Sequence, residues 1–335
     1  MKAIYYEKTG EPQSVLKLID ATIPEPEHQQ VLLKMKLMPI NPMDLATIRG
    51  VYRTPQKTPT VPGAEGVGEV IKIGSNVRTL SVGSSVLVLP FKNPGWTNGS
   101  WQEYLCLDET EVFPIPADID PNLTPQFFNS ILTAWVLIVN DLNLGPGQSL
   151  LMTAAGSSVG KLVLKLAAER KFSVIGVVRR PEQVEEIKKL GATDVICSAT
   201  EDITKRVFAM TALKGVDAVM DAVGGEVSSQ CFRAMNDWGQ MIIYGLLELE
   251  RNSQLDIRKM LFYNLGVRGF WLPGWWLRVD LETRTIAINK CFEMIRRGIL
   301  IPEVEHTYSL QDINQAVAHA ERPGNKGRIM LSPFA

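Results

Sequence analysis

Apolar residues along the chain change rhythm near residue 120. Before that point, short runs at Val31–Ile40, Gly66–Ile73, Ser85–Leu89 and Gln102–Leu107 predict strands, punctuated by turn formers at Pro59, Pro62-Gly63 and Pro94-Gly95. From residue 121 onward, continuous apolar runs too short for helices alternate with stretches of helical spacing. The runs are Leu150–Thr153, Val174–Val178, Val195–Cys197, Ala218–Ala222, Met241–Tyr244 and Val267–Trp271. An unbroken apolar run suits a strand covered on both faces, and strands alternating with helices predict a doubly wound parallel sheet. After residue 272 the pattern predicts a long helix over Leu281–Arg297 and a strand near Thr307. A capping box at Ser309-Leu310-Gln311-Asp312 is expected to open a helix through His319, and a last strand is expected at Arg328–Leu331. The fold class expected is α/β. A β-rich domain is built from 1–120 and 272–335, and a parallel-sheet domain over 121–271 is inserted into it.

The first strand–helix junction of the second region carries the clearest chemistry. Ser149–Thr153 is apolar, and Ala154, Ala155, Gly156, Ser157, Ser158 and Gly160 leave little side-chain bulk in a turn. Apolar residues at 159, 162, 163, 166 and 167 then keep helical spacing. The opening N–H groups of such a helix, and its positive dipole end, suit a pyrophosphate over Gly156, Ser157, Ser158 and Val159. Aligned as G-x-G-x-x-G, the turn reads Ala155-Gly156-Ser157-Ser158-Val159-Gly160, with only the last glycine in place, so an ordinary strand–helix turn is the alternative. The next strand ends at Arg179-Arg180, about 20 residues on, where a carboxylate would suit a ribose hydroxyl and arginine suits a 2′-phosphate. The cofactor expected is NADP(H).

Composition narrows the remaining classes. With 335 residues, 45% hydrophobic and 21% charged, the chain has room for two cored domains. A net charge of −1 leaves no electrostatic footprint for nucleic acid or an anionic membrane. No long apolar segment predicts a membrane span, and the first residues lack a secretory or transit pattern. The four cysteines, Cys106, Cys197, Cys231 and Cys291, share no paired spacing, and a reducing cytoplasm is the expected location.

On these elements the chain resembles the medium-chain dehydrogenase/reductase superfamily over nearly its whole length. The motifs are Val61 through Val70 (VPGAEGVGEV), Val77 through Val86, Leu144-Gly145-Pro146-Gly147 and Lys189-Leu190-Gly191-Ala192. Within it the chain looks most like the zinc-free 2-enoyl thioester reductases, of the mitochondrial enoyl reductase type, with quinone oxidoreductases as wider kin. That likeness rests on Ile40-Asn41-Pro42-Met43-Asp44, Ile48 through Tyr52, Thr133-Ala134-Trp135, Val177 through Pro181 and Val267 through Leu272. It implies a GroES-like catalytic domain, a Rossmann cofactor domain and a homodimer. The chain departs from the family pattern at Arg179-Arg180-Pro181 (Arg-Asp-Arg in relatives), at Ser130 beside Asn129 (Asn in relatives), at Leu246 (a second glycine) and at Trp275-Trp276.

The resemblance also assigns roles. Zinc-dependent relatives carry a cysteine and a histidine where this chain has Asn41 and Ala64, and the three histidines share no ligand spacing, so no metal is expected. Without a metal, hydride addition to the β-carbon of a conjugated C=C bond calls for a hydrogen-bond donor at the carbonyl oxygen and an acid for the α-carbon. Tyr52 is the candidate for proton donor or enolate stabiliser; by its residue type alone it reads as a half-buried packing tyrosine. Ser130, Thr133, Tyr244, Phe270, Trp271 and Arg328 are the further cofactor candidates, and Asn41, Trp271 and Trp275 the substrate-pocket candidates. The plain alternatives are core packing for Tyr244, Phe270 and Trp271, and a backbone-bonded helix turn for Thr133. The function expected is NADPH-dependent reduction of 2-enoyl thioesters carried on CoA or acyl carrier protein. The alternatives are a quinone or 2-alkenal reductase and a non-catalytic NADP(H)-binding protein.

Overall fold

The computed structural model describes residues 1–53, 57–88, 98–248 and 251–334. Leu89, expected to end a strand, and the Pro94-Gly95 turn lie outside the described residues. The chain divides into one unit of Met1–Ser130 with Ile301–Ala335 and a second of Ile131–Leu300.

In the first unit β1 (Lys2–Tyr5) and β2 (Lys17–Asp20) form an antiparallel hairpin. The strands β3 (Gln30–Pro39), β4 (Gly66–Ile73), β5 (Ser85–Val88), β6 (Tyr104–Asp108) and β7 (Val112–Pro114) follow. In the second unit come β8 (Ser149–Met152), β9 (Ser173–Val178), β10 (Asp194–Cys197), β11 (Val216–Asp221), β12 (Met235–Ile243) and β13 (Gly266–Gly269). The chain then returns to the first unit with β14 (Val304–Tyr308) and β15 (Arg328–Leu331). Among the described residues the first unit's large sheet runs β14-β15-β3-β4-β5-β7, with β6 paired to β3. The long β3 is its spine: Leu33 faces Leu105 of β6 and Val70 of β4. Trp101 is fully buried beside it and donates its indole N–H to the Pro39 carbonyl at 3.2 Å. That bond removes the cost of an unpaired indole in an apolar core.

The second unit is the doubly wound sheet that the apolar runs predict, in the order β10-β9-β8-β11-β12-β13 with every pairing parallel. The strand order reverses direction between β8 and β11, and ligands of such sheets bind outside the carboxyl ends at that point. The helix Ser158–Arg170 buries its expected stripe of Val159, Leu162, Val163, Leu166 and Ala167. Lys161 is buried in it as well, its ammonium paired with Glu186 at 2.8 Å.

Several expectations shift. The division between units falls at 130/131 and 300/301 instead of 120/121 and 271/272. Residues 121–130 stay with the first unit because Phe128 and Asn129 donate their backbone N–H groups to Glu65. The helix Leu281–Arg296 groups with the second, where Arg297 just beyond it pairs with Glu169 at 2.6 Å. The strand expected over Val267–Trp271 ends at Gly269, and Leu272–Arg278 is helical. The box at Ser309 does not cap the backbone. Its hydroxyl bonds the Asp312 carboxylate at 2.8 Å, a 3-10 turn occupies Leu310–Asp312, and the α-helix begins at Ile313.

Candidate active site

In the second unit the ends of β8, β11 and β12 converge on one turn. Thr153, just past β8, donates its hydroxyl to Asp221 Oδ1 at 2.7 Å and accepts from the Ala222 N–H at 2.9 Å. Asp221 also accepts from Val223 N and Gly224 N at 3.1 and 3.0 Å. This buried carboxylate locks the exits of β8 and β11 together. Sequence reading took Asp221 only as part of the strand Ala218–Ala222, where an acid inside an otherwise apolar run was the visible signal.

From Thr153 the chain turns through Ala154, at φ 49, to Ser157, the N-cap of the Ser158–Arg170 helix. The Ser157 hydroxyl accepts from Gly160 N at 3.1 Å. A Cβ at Gly160 would lie 2.5 Å from the Ala155 carbonyl oxygen, so only glycine lets helix and turn close up. Half-buried Gly156 and Ser158 complete a low-bulk turn at a helix N-terminus, while Val159 points into the core. Tyr244 lies just past β12 with its hydroxyl buried; burial, then the Asp221 charge, pushes its pKa up, so it stays a neutral phenol. Beyond β9, Arg179 is exposed and Arg180 half-buried, and neither guanidinium has an ion-pair partner among the described residues.

Phe270 extends the sheet past β13 by donating its N–H to the Ile243 carbonyl at 2.8 Å, and its ring is buried. Trp271 and Trp275 are half-buried at the start of the next helix. Thr133 is buried in a single α-turn between two π-helical stretches, Phe127–Leu132 and Val136–Asp141. Such widened turns often mark functional positions.

In the first unit, the helix Pro42–Arg49 ends at Gly50, left-handed at φ 79, and two residues later the chain reaches half-buried Tyr52. Arg49 anchors the base of this loop by pairing with Glu11 at 3.0 Å and Glu321 at 2.5 Å. At the other end of the helix, Asn41 donates its side-chain amide to Glu65 Oε1 at 2.9 Å, and its backbone N–H to Asp44 Oδ2 at 2.8 Å. Glu65 Oε2 accepts from Phe128 N and Asn129 N at 2.8 and 3.2 Å. Asn41, Asp44 and Glu65 are all buried, and so is Arg328 Nε. Burial drives the Asp44 pKa up to about 7, with Glu65 adding to the rise and the Asn41 and Ala64 backbone and Arg328 opposing it. Burial raises Glu65 as well and lowers Arg328, whose charge the two carboxylates favour.

Two expected contacts thus land in other surroundings. Arg328, expected at the cofactor phosphates, faces Asp44 and Glu65. Ser130 is fully buried with its hydroxyl 3.4 Å from Gln126 Oε1. For zinc the residues do not fit: Ala64 offers no ligand atom and Asn41 spends its amide on Glu65. Among the described residues no group of three or more His, Cys, Asp or Glu side chains could hold a metal ion. None of their helices is long and apolar enough to cross a membrane.

A doubly wound parallel sheet with a glycine-closed strand–helix turn in one unit, and a β-rich sheet in the other, fit a nicotinamide-dependent oxidoreductase. Two family models match the chain: an alcohol dehydrogenase GroES-like domain over residues 27–117 and a zinc-binding dehydrogenase domain over 158–287. The enoyl-[acyl-carrier-protein] reductase, mitochondrial, of Arabidopsis thaliana is 32% identical over 308 residues, covering 91% of this chain and 80% of the relative. The protein of the same name from Rattus norvegicus is 30% identical and covers 96% and 86%. Among solved structures, a quinone oxidoreductase of Pseudomonas syringae superposes with a TM-score of 0.86 at 25% identity, over 99% of each chain. The Escherichia coli quinone oxidoreductase complexed with NADPH shares the fold at a TM-score of 0.88 and 24% identity, over 99% of this chain and all of that one. The chain belongs to the medium-chain dehydrogenase/reductase superfamily and resembles its enoyl reductases.

Proposed function

We propose that this protein reduces the C=C bond of 2-enoyl thioesters with NADPH. The observation that carries the reading is the near-whole-chain similarity to proteins named enoyl-[acyl-carrier-protein] reductase. When bound, NADPH supplies the hydride for the β-carbon. The Ser157-capped turn holds the pyrophosphate, and Arg179 and Arg180, neither with an ion-pair partner among the described residues, receive the 2′-phosphate. Thr133, Phe270 and Trp271 wall the nicotinamide, with Trp275 toward the acyl chain. Tyr52 donates its hydroxyl to the carbonyl oxygen or protonates the α-carbon.

NADPH oxidation with crotonyl-CoA, with the same acyl group on acyl carrier protein, and with simple quinones tests the reading. Thioester turnover well above quinone turnover is expected. Quinone turnover with inert thioesters would replace it with quinone reduction, the second reading, which the solved quinone oxidoreductase favours. No consumption with any acceptor would point to a non-catalytic NADP(H)-binding protein.

A homodimer through the edge of the second unit's sheet is part of the proposal. β13 is an edge strand, and an edge can pair antiparallel with its own copy. The preceding helix Ile257–Phe262 buries none of its residues and exposes Ile257, Leu261 and Phe262 by 69, 70 and 73%. Replacing Phe262 with glutamate is expected to convert a dimer to monomer in sedimentation equilibrium; unchanged mass would move the contact elsewhere.

A further inference from the structure

The cluster behind Asn41 holds two acids against one base. Asp44, Glu65 and Arg328 reach it from a helix, the segment before β4 and β15, and Tyr6 faces Asp44 from beyond β1. With both acids ionised the cluster would carry a net negative charge in a region closed to water, which a protein interior does not tolerate without compensation. The hydrogen bonds separate the two carboxyls. Glu65 is satisfied as an anion, with an amide N–H on one oxygen and two backbone N–H groups on the other. Asp44 accepts from Asn41 N on Oδ2, while its Oδ1 is buried with no hydrogen-bond partner among the described residues. The carbonyl oxygen of the Asn41 side chain, in the same cluster, is a buried acceptor with no hydrogen-bond partner among the described residues.

We propose that Asp44 and Glu65 hold a single proton between them in the native protein, Asp44 as the neutral acid and Glu65 as the anion that Arg328 balances. A proton on Asp44 removes the excess charge and adds a donor where a buried acceptor lacks one. Tyr6 takes no part in the exchange: burial and then Asp44 push its hydroxyl up to about 12, so it stays neutral. The consequence is a pH-sensitive joint at the root of the helix that leads to Tyr52. The proposal does not depend on which substrate the protein reduces.

The sign follows from the raised Asp44 pKa. The folded state holds a proton that the unfolded chain releases near its ordinary pKa of about 4. Stability from this group is therefore full below about pH 4 and is lost as pH rises through about 7. Urea unfolding of wild type and Asp44→Asn at intervals from about pH 5 to pH 8 tests it. The wild-type unfolding constant is expected to rise relative to the variant by up to about tenfold per pH unit in the lower part of that range. Since asparagine mimics the neutral acid, the variant should match or exceed wild type at the alkaline end. In carbon-13 spectra of aspartate-labelled protein, one side-chain carboxyl should titrate near neutrality and vanish in Asp44→Asn. Glu65→Gln, which leaves Arg328 to balance Asp44 alone, should move that titration to lower pH. A wild-type-minus-variant stability difference independent of pH, or a neutral titration that survives Asp44→Asn, would overturn the proposal. Should Glu65→Gln not fold, the Asp44→Asn measurements decide it alone.

Discussion

Tyr52→Phe is expected to lower kcat for a 2-enoyl thioester by about two to four orders of magnitude, the range associated with a positioned general acid. The substitution deletes one hydroxyl from a half-buried side chain and leaves the ring, so Gly50 and the Arg49 pairings below the loop should be untouched. The affinity for NADPH, measured by fluorescence titration, should stay within about twofold, because the turn proposed to hold the pyrophosphate belongs to the other unit. Stopped-flow single-turnover rates separate the chemical step from product release. A rate within about threefold of wild type, with the fold intact, would remove Tyr52 from the reaction. Loss of NADPH binding in parallel would make it a structural residue.

The paired substitution Arg179→Ala with Arg180→Ala is expected to raise the KM for NADPH by about 100-fold while changing the KM for NADH by less than about threefold. A hydrogen bond to a charged group contributes about 1.5–3 kcal/mol, so losing contact with a 2′-phosphate weakens NADPH selectively. The single variants apportion the effect between exposed Arg179 and half-buried Arg180. Equal loss with both cofactors would mean that the arginines shape the turn and not the phosphate site. Wild-type KM values already equal for the two cofactors would remove the 2′-phosphate role altogether.

The parallel sheet was legible because its strands are covered on both faces and read as plain apolar runs: Leu150, Leu151 and Met152 are all fully buried. The helix Pro42–Arg49 gave no such signal, since Asp44 and Thr47 are among its buried residues and blur the apolar period. The Ser309 box failed for a local reason: its hydroxyl found the Asp312 carboxylate before the backbone did. The low-bulk turn capped by Ser157 could be read because its parts are adjacent in sequence. The charges at 44, 65 and 328 could not, because only the pairing of β15 with β3 brings Arg328 back to the acids. The resemblance assigned that arginine to the cofactor phosphates, and the charges of Asp44 and Glu65 act on it in the folded chain. Asp221 stood out as an acid in an apolar run, but its partner Thr153, just past β8, is 68 residues away in sequence.

The pairing of Met330 in β15 with Pro39 in β3 also bears on how the molecule is made. A ribosome releases all of Ile131–Leu300, a contiguous stretch with its own sheet, before the strand that completes the first unit emerges. Vectorial synthesis therefore favours the middle of the chain folding ahead of the end that was translated first. Until the tail arrives, the nascent β-rich portion keeps an unzipped edge and two acids without their cation. Docking of β15 closes both at once.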